Sequence, residues 1–196
     1  AVREGIVLAV AHSRATYEDV EAAIDQGLSQ VTHVFNAMAP LHHRRPGPLA
    51  AALLLRELKV HLIADGFHVH PAVVDLLYRL KGASGIVLIS DAIAASGCAD
   101  GTYRAVGRTV TVREGRAYLG DGTLAGSTVT RDRSVKFLAE RTPIPLQEIV
   151  RMATVNPARV LGLDRRKGIL AVGRDADLVV MNRAFEVEMT LIGGEI

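Results

Sequence analysis

Residues 59–90 read KVHLIADGFHVHPAVVDLLYRLKGASGIVLIS, and this stretch decides the fold. Two apolar runs, KVHLIA (59–64) and GIVLIS (85–90), flank the helical pattern PAVVDLLYRLKG. Proline suits the first turn of a helix, so Pro71 predicts its start and Gly82 its close. Neither apolar run is polar at alternate positions, which predicts strands buried on both faces, as in a parallel sheet. Strand, helix and strand then form one right-handed crossover unit.

The same plan extends upstream. Strand-like runs occur at GIVLAVA (5–11) and QVTHVF (30–35). Between them lies TYEDVEAAIDQG (16–27), with Thr16 as a helix N-cap, Asp19 three residues on and Gly27 at the end. PGPLAAALLLREL (46–58) supplies the next helix. Four β-α units predict an α/β fold, without a sequence repeat beyond the shared plan. Downstream, residues 98–126 alternate apolar positions with Gly, Thr and Arg and predict one or two β-hairpins. Helices are expected from about 127 to 140 and from 145 to 161, and two more strands in the tail. Four units are too few for a closed (β/α)8 barrel, which takes about 250 residues. An open doubly wound sheet would call for a glycine-rich phosphate turn, and neither G-x-G-x-x-G nor G-x-x-x-x-G-K-[ST] occurs.

Composition narrows the function classes. A chain of 196 residues that is 49% hydrophobic has the means to bury a core. Its net charge of +2, with one short basic run at His42–Arg45, argues against a nucleic-acid partner. A local anion such as a phosphate is compatible with that run. The single Cys98 excludes an internal disulfide and a multi-cysteine metal site. No run reaches membrane-spanning length, and a cytoplasmic location is the expectation.

Chemically able side chains gather where the strands end: His12 after the first, His33 and Asn36 at the second, Asp65 and His68 after the third, Asp91 after the fourth. The carboxyl ends of parallel strands form the active face of such folds. His12 and His33, one unit apart, would converge on one metal ion, and Asp91 would take a proton from an attacking water. A single strand-end histidine is more often a helix cap or a satisfied polar contact. Three successive strands contributing His and a fourth Asp make that reading less economical.

Eight segments in order carry a resemblance: AHSRATY (11–17), THVFNAM (32–38), RRPG (44–47), ADGFHVHP (64–71), SDAIAASG (90–97), GTLAGS (122–127), NPARVLGL (156–163) and KGILAVGRDADLVV (167–180). Together they resemble the N-acetylglucosamine-6-phosphate deacetylases of the amidohydrolase superfamily. The resemblance implies the C-terminal half of such an enzyme: strands five to eight of a (β/α)8 TIM-type barrel within residues 1–165, a β-hairpin insertion at about 98–126, and the last strands of a small β-sandwich at 166–196. The first four strands, a His-x-His segment and a ligand Glu of the family are not in this stretch, so the resemblance also implies a fragment that is inactive by itself.

For the site, the resemblance implies His12 and His33 as metal ligands and Asp91 as the catalytic acid-base. Asn36, Ala37, His68, Leu124, Ala125 and Gly126 would contact the substrate. Arg44 would bind the sugar phosphate across a homodimer, in the partner's site. His70, beside Pro71, reads as a helix-entry residue. The implied cofactor is a divalent metal, zinc before Fe2+, Co2+ or Mn2+. The implied products are glucosamine 6-phosphate and acetate. Arg45 stands where the family commonly has Glu, His42 and His43 add to the basic loop, and Ser90 precedes Asp91 where Thr is usual. Rival readings are a deaminase or cyclic-amide hydrolase using the same residues, and a non-catalytic half-barrel that serves assembly or binding.

Overall fold

The structure, a computed structural model, describes residues 2–105 and 107–196. A four-stranded parallel sheet in the order β1-β2-β3-β4 is its centre. The strands are β1 (Leu8–Val10), β2 (Leu28–Val31), β3 (Lys59–Ile63) and β4 (Ile86–Ile89). Helices α1 (Tyr17–Ile24), α2 (Gly47–Leu54) and α3 (Pro71–Gly85) connect them. The α/β plan predicted from residues 59–90 is therefore the observed one.

Local signals explain the helix starts. Thr16 closes a capping box with Asp19: its hydroxyl accepts from the Asp19 amide at 3.1 Å, and the Asp19 carboxylate accepts from the Thr16 amide at 2.8 Å. His70 caps α3, its Nδ1 accepting from the Ala72 amide at 3.2 Å, as expected of a helix-entry residue. Gly82 does break the helical backbone, with φ of 62°, but α3 resumes and runs on to Gly85.

One face of the sheet packs on the helices. Val60 and Leu62 of β3 and Ile86 and Leu88 of β4 are fully buried there with Val74, Leu77, Leu138, Ile149 and Met152. Register places Gln30 beside Lys59 and His61 beside Val87 on the opposite face. That face thus carries polar side chains, which the uniformly apolar reading of the strands did not expect.

Beyond β4, residues 98–126 form a three-stranded antiparallel meander: β5 (Gly101–Ala105), β6 (Arg108–Arg113) and β7 (Arg116–Tyr118). Its core is small, built on Ala95, Ala105, Val110, Val112 and Ala117. The helix expected from about 127 begins later, at Arg131, as α4 (Arg131–Arg141), because Ser127 and Thr128 are engaged elsewhere. The expected helix at 145–161 is two, α5 (Leu146–Ala153) and α6 (Val155–Val160), broken at Thr154 with φ of −127°. Asn156 in α6 is buried and donates to the carbonyls of Ala83 and Ile86 at 2.7 and 2.6 Å, tying α6 to the α3–β4 junction. The tail forms an antiparallel ribbon of β8 (Leu178–Met181) and β9 (Val187–Leu191). Among the described residues no helix is long and apolar enough to cross a membrane.

Candidate active site

The carboxyl ends of the parallel strands do gather one set of polar side chains, in an unusual backbone. His12, His33 and Asp91 have φ of 36°, 28° and 51°, and Phe35 and Ala37 have 76° and 53°. Side chains with a Cβ rarely adopt this left-handed region, and such outliers cluster where a site over-determines the backbone. The turn after β2 explains why that strand ends at Val31 rather than at 35: the chain leaves the ladder to present His33. Asn36 holds the turn, its Nδ2 donating to the carbonyls of His33 and Val34 at 3.2 and 3.1 Å.

The Nε2 atoms of His12 and His33 lie 2.9 Å apart, with ring centroids at 4.7 Å. Two zinc–nitrogen bonds of about 2.0–2.1 Å at a tetrahedral angle separate their nitrogens by about 3.3 Å. A small opening of the pair therefore admits a cation between them, and imidazole is a donor of the right kind. Among the described residues no group of three His, Cys, Asp or Glu is arranged as a metal cage. His33 Nδ1 is buried without a hydrogen-bond partner, as is Nε2 of His61 on β3. Burial holds the His61 imidazole below its usual pKa, and the neighbouring His33 adds to the effect. His61 went unremarked in the sequence, although its place in an apolar strand run was a signal.

Asp65, at the end of β3, organises His68. Its Oδ1 accepts from the Phe67 and His68 amides at 2.8 and 2.9 Å, and its Oδ2 lies 2.6 Å from His68 Nδ1. Both side chains are almost wholly enclosed, at 6% and 5% exposure. Burial pushes the Asp65 carboxyl up, but the bonds from His68 and Phe67 outweigh it and leave the group below the ordinary range. A carboxylate only accepts, so Nδ1 of His68 carries the shared proton. Ser127 adds a fourth bond to the same carboxylate, its hydroxyl donating to Oδ2 at 3.2 Å.

These elements wall a cleft of about 690 Å³. It is lined by His12, His33, Asn36, Ala37, His68, Asp91, Leu124, Ala125 and Gly126, which are nine of the ten residues singled out from the sequence. The loop carrying the last three is pinned to the end of β4: the Ser127 amide donates to Asp91 O, and the Ile93 amide to Ser127 O, both at 2.9 Å. Gly126, with φ of 80°, is required there, since a Cβ would come within 2.9 Å of Ile93 and 3.1 Å of Asp91 O.

The tenth residue, Arg44, does not line the cleft of its own chain. Its Nη1 lies 2.8 Å from His43 Nε2, in a loop where His42 Nδ1 accepts from the Arg44 and Arg45 amides at 3.2 Å. The meander, read from the sequence only as hairpins, supplies a whole wall through Ala105, Arg108, Val110 and Leu119. Alternating apolar positions announced its strands, but no pattern in the sequence said that they fold over the strand ends.

With this geometry in view, the comparisons with known proteins are consistent. The model of the amidohydrolase family matches residues 3–196. An N-acetylglucosamine-6-phosphate deacetylase of Lysinibacillus sphaericus is 41% identical over 192 residues, which are 98% of this chain and 49% of that protein. An N-acetylgalactosamine-6-phosphate deacetylase of Escherichia coli O157:H7 is 37% identical over 194 residues, 99% of this chain and 51% of that one. The crystal structure of N-acetylglucosamine-6-phosphate deacetylase from Pasteurella multocida superposes with a TM-score of 0.95 at 36% identity, covering 99% of this chain and 51% of its own. The chain spans about half the length of the curated relatives it matches. A parallel sheet with polar strand ends, two converging imidazoles and a family match along nearly every residue lead to one assignment: this chain belongs to the amidohydrolase family.

Proposed function

We propose that the chain is part of a metal-dependent deacetylase that hydrolyses the acetamide of N-acetylglucosamine 6-phosphate to glucosamine 6-phosphate and acetate. The observation that carries the reading is the single cleft into which His12, His33, His68, Asp91 and the Leu124–Gly126 loop all open. The names of the relatives support the substrate class.

His12 and His33 would hold a divalent cation, zinc by preference, with Fe2+, Co2+ or Mn2+ also suited to the donors. Held there, such an ion would supply Lewis acidity to the acetamide carbonyl and the developing oxyanion. Asp91 accepts a proton from the attacking water as its oxygen bonds to the carbonyl carbon. As the C–N bond breaks, Asp91 returns that proton to the departing amine. His68, its Nδ1 engaged by Asp65, keeps Nε2 for the sugar phosphate. Asn36, Ala37, Leu124, Ala125 and Gly126 shape the seat of the ring.

In this reading the four parallel strands are the fifth to eighth of a (β/α)8 barrel, within residues 1–165, and the ribbon after residue 166 belongs to a small β-sandwich. On the same reading His12 and His33 supply two of the ligands, and turnover is assigned to a protein of the length of the relatives, of which this chain spans about half. Arg44, which does not line its own chain's cleft, reaches the phosphate in the partner's site of a homodimer in the cytoplasm.

Hydrolysis of N-acetylglucosamine 6-phosphate is tested against the unphosphorylated sugar. A strong preference for the phosphate is expected, and its absence would point to a deaminase or cyclic-amide hydrolase. The galactosamine epimer belongs in the same assay, since one relative carries that name. Full activity from residues 1–196 alone would overturn the fragment reading, and no activity from the longer protein would favour a non-catalytic assembly module.

A further inference from the structure

We propose that Arg108, where β6 leaves the β5–β6 turn, holds the anionic end of the substrate inside its own chain's cleft. This rests on the reading of the substrate as a phosphorylated sugar and adds to His68 and Arg44 a further group that would recognise the phosphate. Arg108 is the one arginine or lysine among the described residues lining the cleft, and Asp91 the one carboxylate.

The side chain is exposed, but its position is on the side of β6 that faces the cleft. β6 alternates, with Val110 and Val112 each 3% exposed in the meander core and Thr109 and Thr111 on the outer side. Arg108 shares the face of Val110 and Val112, and an arginine continuing an otherwise valine row is directed over the cleft rather than away from it. The hairpin that carries it is held in place. The Arg116 guanidinium stacks 3.9 Å from the Phe67 ring centroid, beside His68, and Thr128 hydrogen-bonds Gly115 O at 2.5 Å. The Leu119 and Ala125 amides close the adjoining loop through Thr123 O and Ala117 O at 2.8 and 2.9 Å.

The arrangement gives the cleft a polarity. Asp91 and the imidazoles of His12 and His33 suit a neutral amide and a proton, and the meander's guanidinium joins His68 in suiting a phosphate. A substrate with an amide at one end and a phosphate at the other is oriented by that polarity. Asp121, on the loop beside Arg108, feels the same charge: its carboxyl is lowered chiefly by bonding with Thr123, with a smaller contribution from Arg108.

The test uses the longer protein with Arg108→Met and Arg108→Lys, assayed on N-acetylglucosamine 6-phosphate and on N-acetylglucosamine. Arg108→Met is expected to raise KM for the phosphorylated sugar by about 10–100-fold, the range of a lost charged hydrogen bond. It should leave kcat/KM for the unphosphorylated sugar unchanged, and Arg108→Lys should recover part of the loss. Inhibition by inorganic phosphate should weaken in parallel in the Met variant. Equal losses on both sugars would mean a structural role for the hairpin, and no loss on either would remove Arg108 from recognition. Both results overturn the assignment while leaving the deacetylase reading intact. A wild-type protein with no preference for the phosphate would overturn the substrate reading and this assignment together.

Discussion

The parallel sheet and the antiparallel meander wall the same cleft, yet they are built differently. The parallel sheet lies on a core of large side chains, Leu58, Leu62, Leu77, Ile86, Leu88 and Met152 among them, all fully buried. The meander closes on three alanines and two valines. The first body can hold its strand ends in a strained backbone, and the proposed chemistry sits there. The second has little packing to spend and contributes shape, with one arginine. Under the proposed roles, the difference teaches that acid-base work is placed where the support is deepest, and recognition where the support can vary.

The largest expected effect tests the chemical half of that contrast. In the longer protein Asp91→Asn should retain substrate binding and lower kcat by about 10³-fold, the scale of general acid-base catalysis. Turnover near wild type would take the proton transfer away from the parallel sheet. Next comes packing, read by urea unfolding. Leu88→Ala should cost about 2–5 kcal/mol, whereas Val112→Ala, which removes two methyl groups from the smaller core, should cost about 1–2 kcal/mol. Equal costs would erase the distinction between the two bodies.

A smaller effect comes from Lys81 in α3, whose Nζ donates to Leu55 O at 2.7 Å. Burial, then the nearby Lys59, lower its pKa from 10.5 to about 8, with Glu57 opposing. Between those two values the unfolded chain binds more protons than the folded one, so stability should rise as pH increases from about 8 to 10.5. Lys81→Met should flatten that rise; a curve of unchanged slope would mean that the amine titrates normally. The smallest effect is expected from Thr16→Ala, which removes the cap of α1 and should cost about 1 kcal/mol in the same unfolding experiment.

Much of this was legible in the sequence, and unevenly. Residues 59–90 contain a complete crossover unit, and its apolar runs, opening proline and closing glycine are local signals that the structure follows. The strand-end residues His12, His33, His68 and Asp91 followed because a parallel sheet puts all its carboxyl ends on one edge. What escaped depends on contacts between distant segments. Helix α4 starts late because Ser127 is committed to Asp65, 62 positions away. Helices α5 and α6 separate at Thr154 for a local reason: Pro157 has no amide hydrogen to donate four residues back to Ala153, and this signal was in the sequence. Nothing in the sequence sets Arg108 apart, since only the folding of the meander over the strand ends brings this exposed side chain to the cleft. His61 was hidden for a related reason: an apolar run does not say which of its faces meets the helices.

The left-handed backbone at His12, His33 and Asp91 has a consequence for engineering. Each residue sits in a conformation that costs about 1–2 kcal/mol for a side chain with a Cβ, and glycine would relieve it. A selection that rewards thermal endurance alone will therefore drift towards glycine at these three positions and discard the chemistry on the way. Screens on this protein need to score turnover and melting temperature together, because at the edge of the parallel sheet the two pull in opposite directions.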